Sequence, residues 1–150
     1  MVMGIGNILV TGARGFMGSH LVPYLWSRDL NVLAFEGDLL DINSIRLFFH
    51  NHHIDQIVHL VGTFLWDLDQ QLALNFSTTR HLLEVAEEFW VKKIIFTSSG
   101  AVYGDPAWEI SYEDDICLPN TWYGLSKKFA EEIVEYYRRN QGFQTVILRF

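Results

Sequence analysis

Apolar residues fall into two recurring patterns along the chain: short β-branched runs, and longer stretches where they return every three or four positions. The first run covers residues 5–10 and breaks into Thr11-Gly12-Ala13-Arg14-Gly15-Phe16-Met17-Gly18. Beyond it Phe16, Leu21, Tyr24 and Leu25 keep helical spacing, which predicts strand, glycine turn and helix in that order. Pro23 lies inside this helix, where it removes a main-chain hydrogen bond and favours a kink. A second strand is expected at 31–35, then Gly37-Asp38-Leu39-Leu40-Asp41, then a helix at 43–51 that Asp41 can cap. Residues 54–61 read as a buried strand ending at Gly62, and 67–90 as a long helix with Leu72, Phe76, Leu82, Leu83 and Val85 on or near its apolar face. A strand at 92–98, a loop at 100–120, a helix at 122–140 and a strand at 143–150 complete the chain. Strands alternating with helices predict an α/β fold, a doubly wound parallel sheet of five to six strands covered on both faces. No repeat or linker interrupts the pattern, so residues 1–150 are expected to form one domain.

Composition narrows the function classes more than the fold. Hydrophobic residues at 49% with charged residues at 19% exclude an intrinsically disordered chain. Eleven basic against eighteen acidic side chains leave a net charge of −7, the wrong sign for coating nucleic acid or an anionic membrane, so neither is expected as a partner. One cysteine, Cys117, cannot form an internal disulfide and fits a reducing compartment. No apolar run approaches the ~18–20 residues of a membrane span, and the start lacks a signal-peptide pattern. A cytoplasmic location is expected.

Several residues carry candidate chemistry. Gly12, Gly15 and Gly18 would let the backbone bend tightly and approach a pyrophosphate, whose charge is received by N–H groups at the start of the next helix. Glycines at that spacing also serve an ordinary strand-to-helix turn. Glu36 ends the second strand, where a carboxylate can accept hydrogen bonds from ribose hydroxyls, and it reads equally as an exposed acid. Asp38 is a second candidate for that end. Tyr123 and Lys127 share a helical face. A phenol titrating near ~10 must be eased toward ~7 to move protons at neutral pH, a difference of ~4 kcal/mol. An ammonium ~4–5 Å away at an effective dielectric of ~20 supplies ~3–4 kcal/mol of it. The same spacing also occurs on solvated helix faces. Ser98 and Ser99 follow the carboxyl end of a strand, where ligands bind in open parallel sheets, or they only start a turn. The length of the 100–120 loop suits binding or catalysis. His50, His52 and His53 lack a further ligand at metal-site spacing and read as a solvated helix end, so no metal is expected. Glu113, Asp114 and Asp115 read as a solvated loop face, and Phe89 and Trp90 as core or subunit interface, a homodimer being among the partners considered.

Taken together, these residues resemble the extended short-chain dehydrogenase/reductases, the group containing nucleotide-sugar epimerases, dehydratases and reductases. The likeness rests on the Thr11 to Gly18 turn, Gly37 to Asp41, His59-Leu60-Val61-Gly62, Asn75 with Leu82-Leu83-Glu84, Thr97 to Gly104, and Tyr123-Gly124-Leu125-Ser126-Lys127. The resemblance implies a Rossmann-type domain binding NAD, with NADP left open, and a nucleotide-sugar substrate. It makes Tyr123 the acid/base, places Lys127 on the nicotinamide ribose while lowering the tyrosine pKa, gives Ser99 the reacting oxygen, and puts Asn75 near the cofactor. Gly12, Gly15, Phe16, Met17, Gly18, Glu36, Asp38 and Leu39 would complete the dinucleotide contacts, with Glu36 favouring NAD over NADP. Two departures stand out: Phe35-Glu36-Gly37-Asp38 runs straight through where the family usually inserts a helix and a third strand, and the sequence stops at Phe150, before the family's substrate-binding region. The competing expectation is a noncatalytic dinucleotide-binding module, or a subunit lacking its substrate domain.

Overall fold

Strand β1 (Ile8–Thr11) is buried along its whole length because it lies between two neighbours, β2 (Val32–Phe35) and β3 (Gln56–His59), both parallel to it. The computed structural model describes residues 6–64, 67–104 and 111–150. Strand β4 (Lys93–Ser98) pairs with β3, and β5 (Gln144–Arg149) with β4, giving the parallel order β2-β1-β3-β4-β5. Parallel neighbours need crossovers, here α1 (Phe16–Trp26), α2 (Ile42–Asn51), the run α3 (Leu68–Gln71) to α4 (Thr78–Glu88), and α5 (Trp122–Gln141). None of the described helices is long and apolar enough to cross a membrane.

Strand alternation divides the core. Leu9, Ile57, Ile94 and Phe96 face α2, α4 and α5, where they meet Ile45, Leu82, Leu83, Val85, Ala130 and Val134. Ile8, Val10 and Val58 point the other way, toward Val22, Leu21 and Leu25 of α1. Deleting a buried Leu or Ile side chain in the larger cluster should cost about 2–5 kcal/mol. Coverage of the second face is partial, since α1 lies over its β1 end and Val146 and Leu148 of β5 stay exposed. An apolar hollow of about 460 Å3 remains there, lined in part by Val58, Ile95 and Leu148.

Local chemistry explains the element ends. Asp41 caps α2 through the Asn43 N–H, and Thr121 caps α5 through the Gly124 N–H. Gly142, at φ +71°, closes α5 in the left-handed conformation. Pro23 sits within α1 without ending it. The predicted long helix differs from expectation by a π-helical turn over Leu72–Ser77, a single-residue insertion that leaves no mark in an apolar pattern. The predicted loop begins with a 3-10 turn, Gly100–Tyr103. Ile5 of the first predicted strand and Pro106 of the loop lie outside the described residues.

Candidate active site

The connections from β1 leave toward β2 and those from β3 toward β4, so the strand order reverses between β1 and β3, which is where open parallel sheets bind ligands. Gly12 leaves β1 at φ +74°, and its carbonyl oxygen accepts the Gly15 N–H at 3.0 Å. A side chain at Gly18 would run into that same carbonyl, so the turn and α1 need glycine for close approach. Gly15 precedes α1 with no side-chain cap, and the first turn carries no acid. The N–H groups of Phe16 and Met17 therefore open the helix without a competing carboxylate, a fit for an anion such as pyrophosphate. Phe16 itself is exposed.

Glu36 follows β2 directly. Its Oε2 accepts from Arg14 Nη2 at 2.5 Å, joining the strand end to the glycine turn. Asp38 is exposed and accepts the Leu40 N–H, while Leu39 is buried in the core with its carbonyl 3.1 Å from His81 Nδ1.

Behind the glycine turn lies a polar network in the main core. His59 is fully buried at the last position of β3, with Nδ1 2.6 Å from Thr11 Oγ1 and Nε2 3.1 Å from Thr79 Oγ1. The Thr79 hydroxyl donates its proton to the Asn75 carbonyl at 2.7 Å, so it accepts from His59 and the imidazole proton belongs on Nε2. Nδ1 then accepts from Thr11. Burial first, and the Lys127 charge second, push the His59 pKa down to about 3. Asn75, on the π turn, accepts the Thr63 N–H at 2.9 Å, and its amide nitrogen lies within 3.0 Å of Thr63 O, Gln71 Oε1 and Ser126 Oγ. It ties the segment after β3 to α5.

The face of α5 turned to the sheet carries Lys127 and Glu131 among Ala130, Val134 and Tyr137. Lys127 donates to the Thr97 carbonyl at 2.9 Å and lies over the Phe96 ring at 5.1 Å. A side chain at Gly62 would collide with its ammonium. Desolvation pushes the Lys127 pKa down to about 8, partly opposed by Glu131. Glu131 in turn takes two bonds from Arg149, at 2.9 Å each, and Arg149 reaches the Tyr103 hydroxyl at 2.6 Å and the Glu113 carbonyl at 3.1 Å. The loop is thereby pinned beside the end of β5. Tyr123, one turn before Lys127, is half-buried with its ring edge-on to Phe64 at 5.7 Å. An open hollow of about 640 Å3 is lined by Phe64, Trp122, Tyr123 and Leu125. Ser99 Oγ accepts the Ala101 N–H at 3.2 Å, starting the 3-10 turn, and Ser98 Oγ is buried without a hydrogen-bond partner among the described residues.

The sequence profile of the NAD dependent epimerase/dehydratase family matches residues 8–150. The chain belongs to this family. A UDP-glucose 4-epimerase of Halalkalibacterium halodurans is 30% identical, over 95% of this chain and 49% of its own. A dTDP-D-glucose 4,6-dehydratase of Dictyostelium discoideum is 27% identical, over 97% of this chain and 43% of its own. The NAD complex of the Thermus thermophilus UDP-glucose 4-epimerase has a TM-score of 0.89 at 27% identity, over 96% of this chain and 54% of that one. The chain thus spans about half the length of the relatives it matches.

Within this epimerase/dehydratase domain the glycine turn, Asn75, Ser99, Tyr123 and Lys127 gather near the carboxyl ends of β1, β3 and β4. Glu36 and Asp38 lie at the β2 end, and the histidine group lies elsewhere, at the end of α2, with His50 in its last turn, His52 stacked on Phe48 at 4.2 Å and His53 meeting Asp55. Sequence reasoning missed Arg14, Thr79, Glu131 and Arg149. A charged pair four apart on an otherwise apolar helix face was the available signal for Glu131.

Proposed function

We propose that this domain binds NAD and provides the proton-transfer groups of a nucleotide-sugar epimerase or dehydratase. The observation that carries the reading is the buried Lys127 ammonium, fixed on the Thr97 carbonyl at the sheet's carboxyl edge and on the same α5 face as Tyr123. Folding gains little from stripping water off an ammonium there, and such placement is characteristic of sites that handle charge. The uncapped start of α1 would hold the pyrophosphate through the Phe16 and Met17 N–H groups. NAD, when bound, supplies the hydride acceptor. Tyr123 takes the proton of the substrate hydroxyl, Ser99 holds that oxygen, and Lys127 favours the phenolate by its charge. Asn75 holds Thr63 and α5 in register beneath them.

The relatives' greater length supports a second statement about activity: these 150 residues bind cofactor but turn over nucleotide sugars feebly on their own. Proton transfer is worth about 10²–10⁴ in rate, whereas orienting the reacting carbon can contribute ~7–11 kcal/mol. Calorimetry with NADH tests the binding step. Gly15 has φ −73° and its side-chain direction is open apart from the Gly12 carbonyl, so Gly15→Val should fold and lose binding. Unchanged affinity would remove the assignment. Assays with UDP- and dTDP-sugars, alongside Tyr123→Phe, test the chemistry; rapid turnover by the isolated chain, lost in Tyr123→Phe, would overturn the second statement and support the first.

A further inference from the structure

Gly62 comes shortly after β3, at the carboxyl edge of the sheet, and its φ lies outside the left-handed region, so the backbone there does not call for glycine. Space calls for it instead. A Cβ at Gly62 would stand 2.5 Å from Lys127 Nζ, 3.1 Å from Lys127 Cε and 3.3 Å from Asn75 Oδ1. The ammonium therefore occupies the volume that a side chain here would fill. Its other walls are fixed: the Thr97 carbonyl accepts from it at 2.9 Å, the Phe96 ring lies 5.1 Å away, and Asn75 Oδ1 is held by the Thr63 N–H. Seated in this way Lys127 is only 2% exposed, and one of its three protons has an acceptor among the described residues. Burying an ammonium with two protons unmatched opposes folding. Stability does not account for the seat, whereas two unfilled donors at the edge of the proposed site suit the oxygens of a ligand.

We infer that Gly62 is a positioning residue for the proposed reaction: the side chain it lacks makes the seat that holds the Lys127 ammonium dry at the sheet edge, in place for a bound dinucleotide. This rests on the dinucleotide reading above. A methyl group at this position leaves the backbone free to keep its path. Of the atoms in its way, the ones that can yield are the end of the flexible lysine stem. The ammonium then leaves its seat on the Thr97 carbonyl and regains water, and with water it regains proton affinity, because desolvation is the first cause of its lowered pKa. The other charged and titratable groups around it are untouched by the substitution. They are Tyr123 and Glu131, one turn to either side on α5, Arg149 of β5 bonded to Glu131, and His59 of β3.

The test compares full chains, wild type with Gly62→Ala, Lys127→Met and the double variant, their folds checked by circular dichroism. Nuclear magnetic resonance titration of isotope-labelled lysine, with the Lys127 signal assigned by its absence from Lys127→Met, should give an inflection near 8 for wild type. The inflection should rise by about one unit or more in Gly62→Ala. Calorimetry at pH 7 should show NADH bound at least about threefold more weakly by Gly62→Ala than by wild type, and by the double variant within about twofold of Lys127→Met alone, because the methyl acts through the ammonium. An inflection or an NADH affinity unmoved by Gly62→Ala overturns the positioning role. Equal weakening of NADH with and without the lysine overturns it too, placing the effect in the backbone after β3. Should Gly62→Ala lose its fold, recovery in the double variant supports the collision with the ammonium, and no recovery overturns it. A raised inflection with no NADH binding by wild type removes the dinucleotide reading and leaves the seat.

Discussion

His59 offers a quantitative test of the core that supports the site. The ring is fully buried, held as a neutral acceptor and donor between Thr11 and Thr79, and its pKa is pushed down to about 3 from the usual 6.5. In the unfolded chain the imidazole binds a proton as pH falls through 6.5; in the folded chain it does not until about 3. The unfolded state therefore holds more protons between those values, and stability falls as pH falls. Full presence of this contribution lies above 6.5, and its loss is complete only below 3. Between pH 7 and pH 5 the loss is about 2 kcal/mol, and any folded value below roughly 4 gives the same result. For a chain this size that corresponds to a melting temperature lower by about 4–8 °C. His59→Gln and His59→Asn keep polar atoms near the two threonines but do not titrate. Urea unfolding of wild type and both variants at pH 7 and pH 5 isolates the effect as a difference of differences. Wild type should lose about 2 kcal/mol more than either variant over that interval. Equal losses would mean that the folded histidine binds its proton as readily as the unfolded one, and that the neutral bridge is wrong.

Further outcomes follow from other parts of the network. Lys127, with its pKa down to about 8 from 10.5, destabilises the fold while charged, so wild type should gain about 2 kcal/mol relative to Lys127→Met between pH 7 and pH 9.5, measured by denaturant unfolding. A parallel pH dependence in the two proteins would contradict the burial of that charge. Asn75→Leu removes the partner of the Thr63 N–H and C=O and should cost about 2–3 kcal/mol, seen as a melting temperature lower by about 5–10 °C. Arg149→Met leaves the Glu131 carboxylate buried without its hydrogen-bonded cation, and should cost about 3–5 kcal/mol, with part recovered when Glu131→Gln is added; no recovery would place the effect in the loop contact at Glu113 instead.

The alternation of short apolar runs with helical periodicity is enough to place the five described strands and the main helices, because strands of a parallel sheet flanked by helices are apolar nearly throughout. Turn chemistry is legible in the same way: Asp41 caps α2 as expected, and Gly12 takes the positive φ that the strand-to-helix turn requires. The π turn is not, since inserting one residue into a helix changes no residue type. The partial cover of the second face is equally silent, because a strand's composition says that something must bury it but not what does.

At the site, sequence identifies groups and misses their couplings. Glu36 reads as a lone acid, yet β1–β2 register sets Arg14 beside it from 22 residues away. His59 reads as part of a motif, and only its facing in β3, on the same side as Ile57, makes it a buried polar residue that needs Thr11 and Thr79. Tyr123 and Lys127 read as one exchange of charge across a helical turn. The structure gives that reading a source of energy. An ammonium whose pKa has fallen to about 8 has already lost much of its hydration, and the cost was met during folding by the packing of α5. On the proposed reading, a negative charge that forms next to it during proton transfer is stabilised by an ion with little water left to shield it. On that same reading, the cost of burying Lys127 and its use in proton transfer are two consequences of one placement. A Lys127→Met chain should show both at once: relief of the neutral-pH stability penalty, and turnover of nucleotide sugars reduced to the level of Tyr123→Phe. Turnover unmoved by Lys127→Met would separate the two and leave the buried lysine with a structural role alone.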